Sequence, residues 1–315
     1  MKLTAIVMCK NEEDIIERFI RINSKVIDTF VIYDDNSSDR TVEILQELVP
    51  DFDITIIEGG ESKKDDQLRY HQSNIMNWLM KYAYEEYEDK PDFIFPLDAD
   101  EFIFESRQHV VQELTKFHNF TNGQYEGVSY GGIPWKTFVP LHGELQLNVP
   151  MNKTFVPMAQ ETYRNHKAVV PGKLATRYKL WMGNHNLVGN KHQMPLNIPL
   201  CHFPVRSANQ IMAKALITAH KFSMKKNKIA TEGYHIRKLA DFIREKNYSL
   251  NQNDLINITN NYLRQDNLPH KQVYGEYLPF TNFDEVLHSA TSETDTSYLT
   301  KALDSFIMEV IKSVP

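Results

Sequence analysis

The first hundred residues alternate between short apolar runs and amphipathic stretches, and that rhythm leaves few folds open to the chain. Leu3 to Cys9 is a nearly continuous apolar run, the pattern of a strand covered on both faces. Asn11 follows as the expected N-cap of a helix, with Glu12, Glu13 and Asp14 in its first turn, where acids favour the positive end of the dipole. Ile15, Ile16, Phe19, Ile20 and Ile22 then recur at helical spacing. The cycle repeats with a strand at 29–33, closed by Asp34-Asp35-Asn36-Ser37-Ser38-Asp39, and a helix carrying Val42, Ile44, Leu45 and Leu48. A third strand covers 53–58, a long helix 67–87, and a fourth strand 92–97, which delivers Asp98-Ala99-Asp100-Glu101. This spacing predicts an α/β fold, a mostly parallel Rossmann-like sheet flanked by helices.

Ligands of such sheets gather at the carboxyl ends of the strands. Lys10-Asn11, Asp34-Asp35 and Asp98-Ala99-Asp100 all fall there. No G-x-G-x-x-G follows the first strand and no G-x-x-x-x-G-K-[ST] occurs, since Gly172-Lys173 is followed by Leu174. Three acids opening the first helix would repel a pyrophosphate. A dinucleotide enzyme and a P-loop NTPase are therefore disfavoured. The 35 Lys+Arg against 41 Asp+Glu, a formal charge of -6, argue against a nucleic-acid partner. Two cysteines, Cys9 and Cys201, make neither a disulfide framework nor a zinc site. Leu3 to Cys9 is too short for a signal-peptide core. Cytoplasmic, reducing surroundings are expected.

The carboxylate pair carries the chemistry. Asp98 and Asp100 at a strand end suit Mg²⁺ or Mn²⁺, hard cations that take oxygen ligands and bridge phosphates. One carboxylate can reach the ion while the other takes a ribose hydroxyl. A second Asp-x-Asp, Asp51-Phe52-Asp53, lies before a strand and is expected to be solvated loop.

Together, Ala5-Ile6-Val7-Met8-Cys9-Lys10-Asn11-Glu12, Asp34-Asp35-Asn36-Ser37-Ser38-Asp39-Arg40-Thr41 and Leu97-Asp98-Ala99-Asp100-Glu101-Phe102 resemble the family 2 glycosyltransferases, in particular a subset carrying Asp-Ala-Asp-Glu-Phe. The resemblance covers residues 1 to 104. It implies a GT-A fold, a nucleoside-diphosphate sugar as donor, Mn²⁺ or Mg²⁺ as cofactor, and inversion at the anomeric centre. It places Asp35 at the nucleobase, Asp98 at the ribose or sugar, and Asp100 at the metal. Arg69 or Asn74 falls where the family has a polar contact to the nucleotide sugar, with ordinary helix surface as the alternative.

A helix is expected over 107–117 and a strand over 125–134, leading into Trp135-Lys136-Thr137-Phe138. In the subset this stretch lies on the acceptor side, so Trp135 or Phe138 would stack on a sugar or belong to the core. Gly172-Lys173, Arg177, His185, His202-Phe203-Pro204-Val205-Arg206-Ser207 and Lys214 continue the resemblance. His202 matches the late histidine that completes the metal sphere in GT-A enzymes; the alternative is a core histidine. Cys201 beside it is a soft ligand, ill-suited to these ions, and is read as core. Lys173 and Arg206 are candidate clamps for the leaving diphosphate, or else surface charges. A carboxylate base is required to deprotonate the acceptor. Glu161 is the first candidate, with Glu144 and Glu101 behind it.

From Ser207, a potential helix cap, the chain reads as helices. The expected division is a catalytic GT-A domain over 1–206, with a nucleotide-sugar half at 1–104 and an acceptor half at 105–206, then a C-terminal helical region over 207–315. A basic amphipathic stretch at 211–228 raises the prospect of peripheral contact with an anionic membrane. The function read from these features is transfer of a sugar, UDP-linked, to a hydroxyl of a glycan or glycolipid in cell-surface polysaccharide assembly. A non-catalytic nucleotide-sugar binding module is the alternative, and a metal-dependent phosphoryl-transfer enzyme a more distant one.

Overall fold

A computed structural model of the 315-residue chain describes residues 1–59, 72–121, 130–140, 155–157, 166–189, 192–224 and 234–261. These residues fall into two compact units, the first made of 1–136 and 164–202, the second of 137–163 and 203–315.

The first unit opens with β1 (Leu3–Cys9), α1 (Ile16–Asn23), β2 (Thr29–Asp34), α2 (Thr41–Leu48), β3 (Ile54–Glu58), α3 (Gln72–Glu85) and β4 (Phe93–Leu97). β1 pairs in parallel with β2 and with β4, and β2 in parallel with β3. This is the parallel block the apolar runs predict, and all residues of β2 and β4 are buried. Phe19 of α1 meets Phe30 edge-on at 5.9 Å and Phe102 at 6.2 Å. Each such buried ring contributes about 1.5–3 kcal/mol relative to exposure, so α1 is held by its packing rather than by its ends.

The next elements are β5 (Glu101–Ile103), α4 (Arg107–Phe120), β6 (Tyr130–Pro140), β7 (Phe155–Pro157), β8 (His166–Pro171), β9 (Gln193–Pro195) and β10 (Leu200–His202). α4 is capped by Ser106, whose side chain accepts from His109 N–H. The sheet order is β3-β2-β1-β4-β8-β6-β10-β5, with β7 and β9 also paired to β6. β8 runs antiparallel to β4, in the register Phe93↔Pro171 and Ile94↔Val170. That reversal sends the first residues of β8 to the carboxyl tip of β4.

The second unit holds α5 (Ala208–Met224), α6 (Tyr234–Glu245) and α7 (Gln252–Asn261). Ser207 caps α5 by accepting from Gln210 N–H at 3.1 Å, as its position suggests. Val205, Ile211, Leu255 and Ile258 form one buried cluster, and Met212, Ala215 and Ile243 another. The stretch 137–163 belongs to this unit, so the compact units are interleaved along the chain, unlike the contiguous 1–206 and 207–315 expected from sequence. The part of the expected C-terminal helical region from 262 to 315 lies outside the described residues.

One local expectation fails. Asn11 does not cap α1, which starts at Ile16. Its φ of 55° puts it in the left-handed region, which asparagine tolerates better than most residues. The turn it makes is tied to the next loop instead.

Candidate active site

Three loops at the carboxyl tips of β1, β2 and β4 build the site. The first two interlock. Asn11 N–H donates to Ser37 Oγ at 2.8 Å, and Asn11 Oδ1 accepts from Ser38 N–H at 2.8 Å. Glu12 N–H donates to Thr41 Oγ1 at 2.8 Å, and Glu13 N–H to Asp39 Oδ2 at 3.1 Å. Asp34 closes its own turn by accepting from Ser37 N–H at 2.8 Å. Burial raises the Asp34 carboxyl above its ordinary value, against the pull of Ser37. The two acids thus differ in role: Asp34 is a buried turn-former, while Asp35 follows it at the strand tip, also buried. Lys10, half-buried, stands at the tip of β1 beside this pair.

The third loop, Asp98 to Glu101, folds back on itself. Asp98 N–H donates to Glu101 Oε2 at 2.9 Å and Glu101 N–H to Asp98 O at 3.0 Å. Asn23, at the end of α1 and fully buried, pins it from behind: Nδ2 donates to Glu101 O at 3.0 Å and Oδ1 accepts from Ile103 N–H at 2.9 Å. From the other side comes Lys167, the second residue of β8. Its side chain is 0% exposed, with Nζ 2.6 Å from Asp98 Oδ2 and 3.1 Å from Glu101 Oε1. Burial alone would lower the lysine, but Asp98 and then Glu101 outweigh it and hold Lys167 above its ordinary value. Burial pushes Glu101 well up, and Lys167 draws it partly back. Gln72 Nε2, at the start of α3, approaches Asp98 Oδ1 at 3.4 Å.

β5 and β10 pair antiparallel with His202 opposite Glu101, which sets the histidine beside the acidic loop. His202 Nε2 lies 3.7 Å from Asp100 Oδ1, and both residues are buried. Trp135 stacks on the His202 ring at 4.4 Å and 17°, and meets His185 edge-on at 4.9 Å. His185 Nδ1 is 2.8 Å from His166 O; burial, then nearby Lys167, lower its pKa. Lys167 Nζ also sits 5.6 Å over the Trp135 ring. Phe138, fully buried and stacked on Phe203 at 5.0 Å within the second unit, is core rather than a sugar platform.

Asp100 and His202 suit a hard divalent cation. Two atoms each about 2.1 Å from one ion stand about 3.0 Å apart in adjacent positions of an octahedron, so the pair, now 3.7 Å apart, would close on an ion that both held. Among the described residues no group of three or more His, Cys, Asp or Glu is placed to hold an ion.

Several expected site residues fall elsewhere. Glu101 is sealed between Lys167 and the Asp98 amide at 0% exposure, so it cannot reach an acceptor as a base. Lys173 is exposed in a turn after β8, next to Gly172, whose N–H bonds Asp92 O at 2.8 Å. That is the amino end of β4, about 17 Å of strand away from Asp98, which removes Lys173 as a diphosphate clamp. Arg206 lies in the second unit, fully buried, its N–H donating to Gln210 Oε1 at 3.2 Å; it is no surface charge. Asn74 is exposed on α3. Arg69, Glu144 and Glu161 lie outside the described residues. Sequence reasoning missed Lys167, Asn23 and Gln72. A lysine opening the apolar run Ala168-Val169-Val170 was the available signal for the first.

Carboxylates gather at the parallel strand tips, beside an antiparallel extension that returns a histidine to them. Residues 4–138 match the model of Glycosyl transferase family 2, so this stretch of the chain carries a domain of that family. No curated protein matches the chain. Among solved structures it is similar to S. aureus TarS 1-349 in complex with UDP-GlcNAc, at 13% identity over 98% of this chain and 82% of that one, TM-score 0.43. The complex of the same fragment with UDP gives 14% identity, 81% and 74% coverage, and a TM-score of 0.41. A mycobacterial protein gives 11% identity, 70% and 74%, and 0.34. These identities are too low to carry residue roles across.

Proposed function

We propose that this glycosyltransferase moves a sugar from a nucleoside diphosphate to a hydroxyl of a glycan or glycolipid acceptor, with inversion and with a divalent ion, Mn²⁺ or Mg²⁺. The observation that carries this reading is the Asp100–His202 pair, 3.7 Å apart and buried at the tip of the sheet beside Asp98. In the proposed reaction the acceptor oxygen forms a bond to the anomeric carbon as the bond to the diphosphate breaks. The acceptor proton passes to a carboxylate, for which Glu161 remains the proposed residue.

The chain's own residues divide the work. Asp35 stands at the tip of β2 for the base, with Lys10 beside it, while Asn11 acts by locking the two loops together. Asp98, held by Lys167, faces the ribose or sugar hydroxyls. Asp100 and His202 would hold the ion, with Trp135 fixing the imidazole plane by stacking; the ion, when bound, offsets charge on the departing diphosphate. Arg69 or Asn74 remains a proposed donor contact. No described helix is long and apolar enough to cross a membrane, and work at the cytoplasmic face, on surface-polysaccharide acceptors, belongs to the same proposal.

Titration of UDP and UDP-sugars with Mn²⁺, for wild type and Asp100→Ala, tests the reading. UDP is the nucleotide named in two of the similar structures and is the first probe. Wild type should bind only with the ion present and release UDP when acceptor is supplied, and Asp100→Ala should lose the ion-dependent part. Equal affinity in both proteins, or binding indifferent to EDTA, refutes the metal assignment. Binding with no release over many acceptors points to a module without catalysis.

A further inference from the structure

Asp98 and Asp100 are two residues apart, yet their surroundings differ sharply. Asp98 has Lys167 Nζ at 2.6 Å on Oδ2 and Gln72 Nε2 at 3.4 Å on Oδ1, and its side chain keeps 29% exposure. Asp100 has the His202 imidazole at 3.7 Å and is almost fully enclosed. Lys167 cannot swing away. Its stem is rooted in β8, paired with Ile133 of β6, and its ammonium sits between two carboxylates under the Trp135 face. Glu101, the second of those carboxylates, also ties down the Asp98 amide. A carboxylate at a strand tip is otherwise free to turn about its last torsion. Here one of its oxygens is taken by a cation that is itself immobile.

We propose that Lys167 is a positioning residue: it withdraws Asp98 from metal coordination and sets its outward oxygen to receive a hydroxyl of the donor's ribose or sugar, leaving the ion to Asp100 and His202. The inference rests on the donor reading above and deepens it. It also explains how an acidic strand tip can face a diphosphate: Asp98 and the enclosed Glu101 share one internal cation, which leaves Asp100 for a divalent ion to answer. The ligand class selected is a donor with a hydroxyl opposite Asp98, rather than any diphosphate.

The test uses the full chain carrying Lys167→Met, which keeps the stem and removes the charge, and Lys167→Ala, which leaves room for an added amine. Misplacing a contact by about 1 Å can cost on the order of 10²-fold, so kcat/KM for a UDP-sugar should fall about that far in either variant. In Lys167→Ala, methylammonium should recover much of the loss and methanol should not, which a pure packing role would not predict. Crystal structures without ligand should show the Asp98 carboxylate turned from its wild-type place in Lys167→Met. If Lys167→Met fails to fold, Lys167→Met/Glu101→Gln, which carries no uncompensated buried acid, takes its place with the same expectations. Wild-type kcat/KM in a folded variant, or an Asp98 carboxylate that has not moved, overturns the proposal. A wild-type protein that binds no nucleotide sugar refutes the donor reading instead, and the Asp98 comparison alone then decides the role of Lys167.

Discussion

Asn23→Ala is the sharpest test of how the acidic loop is supported. Asn23 is fully buried, and its amide bonds Glu101 O at 3.0 Å and Ile103 N–H at 2.9 Å. Truncation strands both backbone groups of β5. A buried group left without a partner costs about 1–3 kcal/mol, giving a bound of about 6 kcal/mol that local movement will reduce. Alanine returns at most about 0.7 kcal/mol through helix propensity, less at a helix end, so destabilisation wins. A net local loss of about 2–4 kcal/mol is expected. Because the chain forms two compact units, a single unfolding free energy is poorly defined, and amide exchange at Ile103 is the better assay. At about 1.4 kcal/mol per tenfold, Ile103 exchange should accelerate by roughly 30-fold to 10³-fold, while Val7 in the centre of β1 changes far less. Mn²⁺-dependent UDP affinity should fall with it. Ile103 exchange within threefold of wild type would refute the argument that Asn23 holds this loop.

Two other outcomes follow from the geometry. A Cβ at Gly172 would lie 1.8 Å from Pro91 O, a backbone atom that cannot give way, so Gly172→Ala should cost about 3 kcal/mol, the upper end of overpacking penalties, read as a lower thermal midpoint. The Asp39 carboxyl is raised to about 6, chiefly by burial. The folded state therefore holds this proton more tightly than the unfolded one, and stability contributed at low pH is lost as pH rises from about 4 through about 6, by up to about 1.4 kcal/mol per unit. Asp39→Asn should flatten thermal midpoint against pH across that window; an unchanged profile would show that Asp39 is not the titrating group.

The sequence patterns that survive into the structure are those with strong local causes. Continuous apolar runs could only be covered strands, and acids after them could only sit at strand tips. Asp98 and Asp100 accordingly follow directly on β4, where the apolar run before them predicts. Asp51 and Asp53 form the surface loop expected, with Asp53 receiving the Thr29 hydroxyl at 2.7 Å. What remained hidden depends on chain reversal. Nothing local to Lys167 says that β8 runs antiparallel to β4 and brings that lysine to the acidic tip, and the same reversal carries Lys173 to the opposite end. Asn11 misled for a related reason: its side chain found Ser38 in the neighbouring loop, a partner 27 positions away, before it found the helix behind it. Glu101 looked like a reactive acid in sequence because burial has no signature in a single residue.

The antiparallel entry of β8 bears on how the protein can be cut and made. The family match stops at residue 138, whereas the cation that answers Asp98 and Glu101 arrives at residue 167. A fragment trimmed to the recognisable domain would carry its acids with no internal partner, and a ribosome must extend the chain well past that border before the strand tip is electrically complete. Boundaries drawn by homology and boundaries drawn by charge are, in this molecule, different lines.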